Sequence, residues 1–419
     1  MSDLTVELST ASVVAYGATG DGTTDDAPAL QRALDSGCRH LTVPMGVYRV
    51  GQTLRIGSGT RLDIHPEATL ILADGVGQGV DDFLLTNRNH DRGDRDIDIR
   101  GGIWHGNNRG NRRVEPLIQP GAYTGVMLNF RNVEGLRFSH AMLRDAESYS
   151  LRLTQVRGFV LEHLRFHTQH PRPNNDGVHL TGFCERGVIR YLRGLGPAAP
   201  SDDLVAMNAD DAIHRVECQG GLCGPIRDIT VHDLKADQCH SFVRLLSTDS
   251  PIERIEIDRI RGGCTTATLN MDAARGCRVP VVDPKDPRYA SGLGNCRQIR
   301  VSDVVTYKAA ANDGPMFRLE QLAEGLTVTD FQRDVARDAA PAAPTVSACY
   351  LPDHRLTLEG LTADQVQATR EAISAPLASR LLTRDQPRRL VTLTAPIRNQ
   401  EHFMLPDGGF DRLTIGAEE

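Results

Sequence analysis

Aromatic residues are scarce in this 419-residue sequence, at 5%, and there is a single tryptophan. Neither sign of charge dominates, because 47 Lys and Arg stand against 54 Asp and Glu, which gives a formal net charge of −7. This balance excludes a nucleic-acid-binding polycation, and 24% charged residues with 40% hydrophobic ones argue against a disordered chain. No run of about 18 apolar residues occurs, so the sequence predicts no transmembrane helix and no membrane partner.

The first twenty residues lack a cationic start followed by an apolar stretch, which is the pattern of a secretory signal. The sequence therefore predicts a cytoplasmic protein, or a secreted or periplasmic one if a signal was removed before residue 1. The nine cysteines are scattered, and the closest pair, Cys218 and Cys223, lacks CxxC spacing. We expect reduced thiols and no structural metal site.

Glycine and proline are abundant, with 39 and 22 residues, which is typical of many short strands joined by turns. A six-residue pattern has apolar residues at its first, third and sixth positions, with start-to-start steps that include 23, 26 and 27 residues. Alternation over the first three positions predicts a strand, and the skip to the sixth predicts a bend. The occurrences are Leu136/Phe138/Ala141, Phe159/Leu161/Leu164, Ile229/Val231/Leu234, Ile255/Ile257/Ile260, Ile299/Val301/Val304 and Leu326/Val328/Phe331.

A second family of short apolar segments precedes several of these patterns, so one repeat holds two or three strands. A period in the twenties that contains only strands indicates a solenoid in which each strand pairs with its equivalent one repeat away. The sequence thus predicts an all-β, right-handed parallel β-helix. The segments are Val126 to Phe130, Leu151 to Leu153, Val178 to Leu180, Val243 to Leu246 and Phe317 to Leu319.

Both ends of a solenoid must be covered. Residues 24–34 have the pattern of a capped helix closed by Gly37, and we expect this helix to plug the first repeat. Thr362 and Gln365 form a capping-box pattern ahead of a second apolar-periodic segment. We therefore assign 1–344 to the β-helix with its N-terminal cap, and 345–419 to a C-terminal cap or assembly element through which a homo-oligomer could form.

Two acidic motifs, Asn-Asn-Asp-Gly and Asp-Asp, begin consecutive repeats. Aligning Val178 with Val205 puts Asp176 in the column of Asp203, with Asp202 beside it, at the inter-strand spacing of about 4.8 Å. Carboxylates that close cannot all ionise cheaply, so one holds a proton while another is available as a base. Glycoside hydrolysis needs this division of labour. The alternative interpretation is surface turn chemistry, in which Asn, Asp and Gly are common.

These motifs resemble those of glycoside hydrolase family 28, the polygalacturonase group within the pectin-lyase-like superfamily. Residues 16–26 are similar to an N-terminal signature of that superfamily, and 99–107 to its Gly-Gly-x-x-x-Gly-Asn segment. The Asn-Asn-Asp-Gly motif is similar to the family's Asn-Thr-Asp-Gly, and Asp202-Asp203 to its paired aspartates. The resemblance implies a parallel β-helix that hydrolyses O-glycosidic bonds of a pectin-like or related oligosaccharide with inversion, without a metal or other cofactor.

The resemblance also implies a role for each carboxylate. Asp202 is the expected general acid, and Asp176 and Asp203 are expected to hold and deprotonate the attacking water. Candidate substrate-binding residues are Arg244, His240, Asn175 and His179.

Two family motifs are incomplete. The Gly-His-Gly motif is missing, and the Arg-Ile-Lys motif corresponds to Arg244-Leu245-Leu246, which lacks the lysine. Aligning Val243 with Val205 puts His240 in the column of Asp202, where it is a candidate replacement for the missing histidine. A turn histidine without a role is the other interpretation. With one cation instead of two, a neutral or mixed oligosaccharide is as compatible a substrate as polygalacturonate.

Two other functions fit the same pattern. A polysaccharide lyase shares the fold and uses Ca²⁺ and a basic residue, and a noncatalytic carbohydrate-binding or tailspike-like protein would use the aspartates only as ligand contacts. Arg186, Arg190 and Arg193 lie between the two acidic motifs, where they could contact an anionic substrate or form a solvated basic face.

Overall fold

The computed structural model of the chain describes residues 10–114, 119–211, 215–273, 287, 293–312, 314–343, 345–348, 391–394 and 413–416. Over these residues the fold is all-β, with one α-helix, α1, at Ala27–Asp35 and 3-10 helices at Val13–Tyr16 and Val216–Cys218. No helix in this described part of the chain is both long and apolar enough to cross a membrane.

The strands β1 to β24 span, in chain order, Thr10–Ser12, Asp21–Asp25, His40–Val43, Val47–Val50, Leu54–Ile56, Arg61–Leu72, Leu85–Asn87, Asp94–His105, Leu128–Ser139, Met142–Arg144, Leu151–Glu162, Arg165–His167, Val178–Leu180, Glu185–Gly194, Asp203–Asn208, Ile226–Leu246, Ile252–Met271, Cys296–Lys308, Phe317–Leu319, Ala323–Thr329, Phe331–Arg333, Val346–Ala348, Val391–Thr394 and Leu413–Gly416.

Parallel pairing stacks these strands in three columns, with one segment of each column in every repeat. Side chains of columns A and B that point inward form one continuous apolar core, whereas the column C residues named here are half-buried or exposed. Column A contains Leu54, Leu85, Leu128, Leu151, Val178, Val205, Val243, Leu269 and Phe317. Column B contains Leu62, Ile99, Phe138, Leu161, Ile189, Val231, Ile257, Val301 and Val328. Column C contains Ile103, Met142, Arg165, Arg193, Lys235, Arg261, Val305 and Gln332.

The bend predicted within the six-residue pattern is made by a residue in the left-handed conformation. In all six occurrences the residue before the sixth position has a φ between 49° and 60°. Asp and His are enriched in this conformation, which other non-glycine residues adopt rarely. These bend residues therefore lie above one another at the corner between columns B and C. They are His140, His163, Asp233, Arg259, Asp303 and Asp330.

The N-terminal helix is shorter than predicted. It begins at Ala27 because Asp21–Asp25 forms a strand that pairs with β4, so Thr24 is not its N-cap. Its apolar face, which includes Leu30 and Leu34, is buried in the same core as the columns. The helix thus packs against the first strands of the stack.

The predicted C-terminal element is described only in part. Val391–Thr394 pairs in parallel with β20, and Leu413–Gly416 pairs with Val391–Thr394, so both extend column B. The helix predicted after Thr362 lies outside the described residues, and the assembly role predicted for 345–419 stays a prediction.

Candidate active site

The acidic motifs meet at the start of column A. Val178 pairs with Val205, and Val205 pairs with Val243, which is the register predicted from the alternation of apolar residues. The backbone N–H of His240 donates to the carbonyl oxygen of Asp202 at 3.3 Å, so these two residues occupy the same position in neighbouring repeats. Three consecutive repeats thereby bring their polar residues to one place.

His240 bridges the paired aspartates. Its Nδ1 lies 3.1 Å from Asp202 Oδ1 and 3.4 Å from Asp203 Oδ1. Asp203 is fully buried, whereas the side chain of Asp202 is 18% exposed and that of His240 is 37% exposed. The second carboxylate oxygen of Asp203 accepts no hydrogen bond from the described residues. One imidazole is therefore in contact with two carboxylates at the edge of solvent.

This contact determines the protonation of the pair. Burial by itself would raise the pKa of Asp202, but the hydrogen bond and the charge of His240 outweigh it and lower the pKa to about 2. Burial would likewise lower the pKa of His240, but the hydrogen bonds with Asp202 and Asp203 raise it to about 10. At neutral pH the histidine is cationic and Asp202 is ionised.

The carboxyl group that retains its proton is that of Asp176. Burial, together with the negative charge of Asp202, raises its pKa to about 8, against the opposing hydrogen bond from His179. In the free protein the proton is therefore retained by Asp176 and not by Asp202, the residue expected to act as the general acid. The reason is that His240 contacts Asp202 and neutralises its charge, an effect that carboxylate crowding alone does not include.

His179 lies between two carboxylates and is fully enclosed. Its Nδ1 is 2.6 Å from Asp176 Oδ2, and its Nε2 is 2.9 Å from Asp211 Oδ2. Its ring stacks on Tyr149 with centroids 3.6 Å apart. Burial opposes its protonation, but Asp211 and Asp176 raise its pKa to about 9. His179 is thus placed to fix the orientation of Asp176.

Asn175, another predicted substrate-binding residue, has its side-chain amide occupied by protein groups. Its Nδ2 donates to the carbonyl oxygens of Ala146 and Ser148, and its Oδ1 accepts from the Thr168 hydroxyl at 3.0 Å. Only 2% of the residue is exposed. In this position Asn175 holds the loop that precedes Asp176.

Arg244 also has protein partners. Its guanidinium binds Asp272 through both carboxylate oxygens, at 2.8 and 3.0 Å, and lies 3.7 Å from Asp203 Oδ2. Burial would lower the pKa of Arg244, but Asp272 and Asp203 raise it further above its ordinary value. The charge of this arginine is therefore directed at carboxylates of the protein.

Sequence reasoning missed several residues of the site. Arg215 donates to Asn174 Oδ1 at 2.7 Å and pairs with the buried Glu217. Asp211, which lies outside the motifs of the resemblance, contacts His179. Of these residues only Asp211 could have been identified from the sequence, because it follows the Asp-Asp motif in a run of polar residues. Arg215 and Glu217 lie on a connection with no periodic pattern, so no sequence signal identified them.

A narrow cleft of about 20 Å³ lies among these side chains, which is room for about one water molecule. The oxygen and nitrogen donors of Asp202, Asp203 and His240 lie within 4.8 Å of one another. A metal ion bound here would have to displace the proton that the raised pKa of His240 retains. The cluster is suited to sharing protons. The cleft is lined by Tyr149, Asn174, Asp176, His179, Asp202, Asn208, Asp211, Arg215, Glu217, Cys218 and Arg244.

Fold and site together define the class: an all-β protein of stacked parallel strands that carries a proton-sharing cluster of aspartates and histidines on one column. No family model matches the chain. A probable polygalacturonase of Arabidopsis thaliana is 23% identical over 235 residues, which cover 54% of this chain and 48% of that protein. The preneck appendage protein of Bacillus phage PZA is 34% identical over 186 residues, which cover 43% of this chain and 21% of that protein. The chain spans about half the length, or less, of these relatives.

Solved structures share the fold at low identity. The surface protein and adhesin PfbA of Streptococcus pneumoniae has a TM-score of 0.57 at 12% identity, covering 98% of this chain and 96% of that one. A family 28 exopolygalacturonase of Yersinia enterocolitica has a TM-score of 0.50 at 12% identity, covering 98% and 79%. The resemblance to the polygalacturonase group that the motifs indicated is confirmed as a similarity of sequence and fold.

Proposed function

We propose that this protein is a glycoside hydrolase that cleaves O-glycosidic bonds of a pectin-like or related oligosaccharide by an inverting acid/base mechanism. The observation that carries the proposal is the contact of one protonated imidazole, that of His240, with two carboxylates of different exposure. Similarity to polygalacturonases supports the same reaction class. The proposed catalytic residues are Asp176, Asp202 and Asp203.

In this proposal His240 supplies the proton that Asp202 delivers. A sugar that binds over Asp202 and His240 excludes water from this ion pair. Without water, the carboxylate and the imidazolium are disfavoured relative to the neutral carboxyl and imidazole. The proton then moves from His240 Nδ1 to Asp202, which lies 3.1 Å away, and Asp202 gives it to the leaving oxygen as the glycosidic bond breaks. His240 thereby takes the place of the histidine whose family motif is missing.

Asp203 accepts a proton from the water that attacks the anomeric carbon, while the neutral carboxyl of Asp176 orients that water. The proton on Asp203 returns to His240 across 3.4 Å, which restores the starting state and balances the cycle. The two proton transfers within the cluster use the contacts of His240 with Asp202 and Asp203.

Inversion is supported by burial. An oxygen of Asp202 and one of Asp203 lie within 4.8 Å, whereas the two carboxyl groups of most inverting glycosidases are about 6.5–9.5 Å apart. Distance alone would therefore favour retention. However, a nucleophile in a retaining mechanism must touch the sugar carbon, and the full burial of Asp203 disfavours that direct contact.

The substrate does not need a charged group next to the bond that is cleaved. Arg244 is engaged by Asp272 and Asp203, and Arg215 by Glu217 and Asn174, so these cations already face protein groups. A neutral or mixed oligosaccharide is therefore as compatible with these side chains as a uronate is.

We also propose that the stack is a right-handed parallel β-helix and that α1 is its N-terminal cap. Parallel pairing through three columns and the burial of the apolar face of α1 in the common core support this assignment. The family 28 exopolygalacturonase likeness supports the same fold.

The test is to incubate the protein with a panel of neutral and uronate-containing oligosaccharides, and to measure new reducing ends together with ultraviolet absorbance. We expect reducing ends without an ultraviolet increase. An ultraviolet increase would show an unsaturated product and move the protein to the lyases. Endo or exo action follows from the sizes of the products.

A noncatalytic carbohydrate-binding protein is the second candidate. It is favoured by the likeness to a phage preneck appendage protein, at 34% identity, and to a streptococcal adhesin structure. In that case the panel would bind without turnover, and substitution of the aspartates would change affinity only.

A further inference from the structure

A second groove lies on the corner between columns B and C, with a volume of about 780 Å³. We call it the basic groove and define it by Arg165, Arg193, Lys235 and Arg261 of column C and the rings of His163 and Tyr191. It shares no lining residue with the catalytic cleft. The groove therefore forms a separate surface.

Its cations stand directly above one another. Arg165 pairs with Arg193, Arg193 with Lys235, and Lys235 with Arg261, so four successive repeats place a cation at the same position. Neighbouring strands are about 4.8 Å apart, and like charges directly opposite one another on a sheet are destabilising. The row therefore costs folding energy in the free protein.

Three of these cations are not neutralised by carboxylates in the way that arginines on column B are. Within the described residues, Arg165, Arg193 and Lys235 make no ion pair, and all three are exposed. On column B, in contrast, Glu162 lies between Arg137 and Arg190 at 3.0 and 2.6 Å. A carboxylate there compensates cations of both neighbouring repeats, whereas Arg165, Arg193 and Lys235 have no such ion pair within the described residues.

We propose that the basic groove binds an anionic polysaccharide chain, with one carboxylate or sulfate facing each successive cation. A regular row of cations one repeat apart matches a polymer that carries a charge on every sugar unit. The catalytic cleft contributes nothing to this assignment, so it does not depend on the proposed hydrolysis.

The aromatic residues of the groove favour sugar over nucleic acid. His140 stacks on His163 at 4.7 Å and His163 on Tyr191 at 4.6 Å, nearly parallel, so the ring faces cover one another. Single-stranded nucleic acids are bound by free ring faces on which bases stack. The edges of these rings instead present imidazole nitrogens and a phenol hydroxyl, which hydrogen-bond sugar hydroxyls.

The experiment is a titration of an oligogalacturonate octamer into the Asp202→Asn protein, with and without the double substitution Arg193→Ala/Lys235→Ala. Loss of two exposed charge contacts is expected to weaken binding about tenfold. The matched control, Arg92→Ala/Arg95→Ala, removes two exposed arginines outside the groove and should leave affinity unchanged. A neutral galacto-oligosaccharide of the same length should bind the groove variant and its control equally.

Equal affinity of the groove variant and its control for the octamer would overturn the proposal, and so would an equal loss of affinity of the groove variant for the neutral oligomer. Tighter binding of a single-stranded oligonucleotide would assign the groove to nucleic acid instead. Urea unfolding without ligand at low salt checks that the groove variant folds. Because the substitutions remove repulsion between neighbouring cations, the variant should be at least as stable as the protein without them. Because the readout is binding, failure of the hydrolase proposal would leave this result unaffected.

Discussion

Replacement of His240 by glutamine tests the electrostatics of the site most closely. Glutamine keeps a polar side chain that can hydrogen-bond Asp202, but it carries no proton that titrates. Asp202 would then be buried beside Asp176 without its main compensating charge. We expect its pKa to rise from about 2 to above its ordinary value, because burial and carboxylate repulsion remain.

The size of the effect follows from the pKa of Asp202. Its fall from 3.8 to about 2 corresponds to about 2 kcal/mol of preference for the ionised form. The rise for His240, from 6.5 to about 10, is larger, but its side chain is 37% exposed and solvent screens part of the interaction. Because the pKa of Asp202 in the variant is expected to lie above 3.8, we expect the variant to lose about 2 kcal/mol or more of unfolding free energy near neutral pH.

The sign of each contribution sets its pH window. The folded pKa of Asp202 is lowered, so its stabilisation is present above pH 3.8 and is lost as the pH falls towards 2. The folded pKa of His240 is raised, so its stabilisation is complete below pH 6.5 and is lost as the pH rises towards 10. The difference between wild type and His240→Gln should be largest between these limits.

Urea unfolding of wild type and His240→Gln from pH 3 to pH 10 measures this difference. The control is His65→Gln, since His65 is exposed and its Nδ1 accepts only a local backbone hydrogen bond in the described residues. A difference that is largest in the middle of the range and small at both ends is the expected outcome. A difference that does not vary with pH would refute the ion-pair reasoning.

Three further predictions concern the mechanism and the stack. Turnover should fall on the alkaline side with an apparent pKa of about 8, where Asp176 loses its proton; a pH–rate profile that stays flat to pH 9 would contradict its role as a neutral group. Proton NMR of the first product should show an inverted anomer, and a retained anomer would assign Asp203 or Asp202 as a nucleophile. Gly187→Ala should lower the unfolding free energy by about 1–3 kcal/mol in urea, because its Cβ would collide with the Phe159 ring; unchanged stability would mean that this packing relaxes freely.

The register of the stack could be predicted because it depends on a repeated local pattern. Alternation around Val178, Val205 and Val243 fixes which side chains face the core, and a slip of one residue would expose all of them. That register alone places His240 in the column of Asp202. The positions of these residues along the column could thus be predicted from the sequence.

The surroundings and partners of the polar strand residues could not be predicted. His179 could have faced solvent, and only the structure shows it enclosed by Asp176, Asp211 and Tyr149. The partner of Arg244 is Asp272, on the next repeat, where no pattern marks a site. Protonation was likewise missed, since it depends on the distance between His240 and Asp202 rather than on residue types.

The most direct test of the central claim compares Asp202→Asn with wild type in turnover and in substrate affinity. Loss of the group that protonates the leaving oxygen should reduce kcat by about 10²- to 10⁴-fold, while the Kd for the same oligosaccharide stays within a few-fold. An affinity that falls while kcat is unchanged would contradict the account and make the aspartate cluster a binding site.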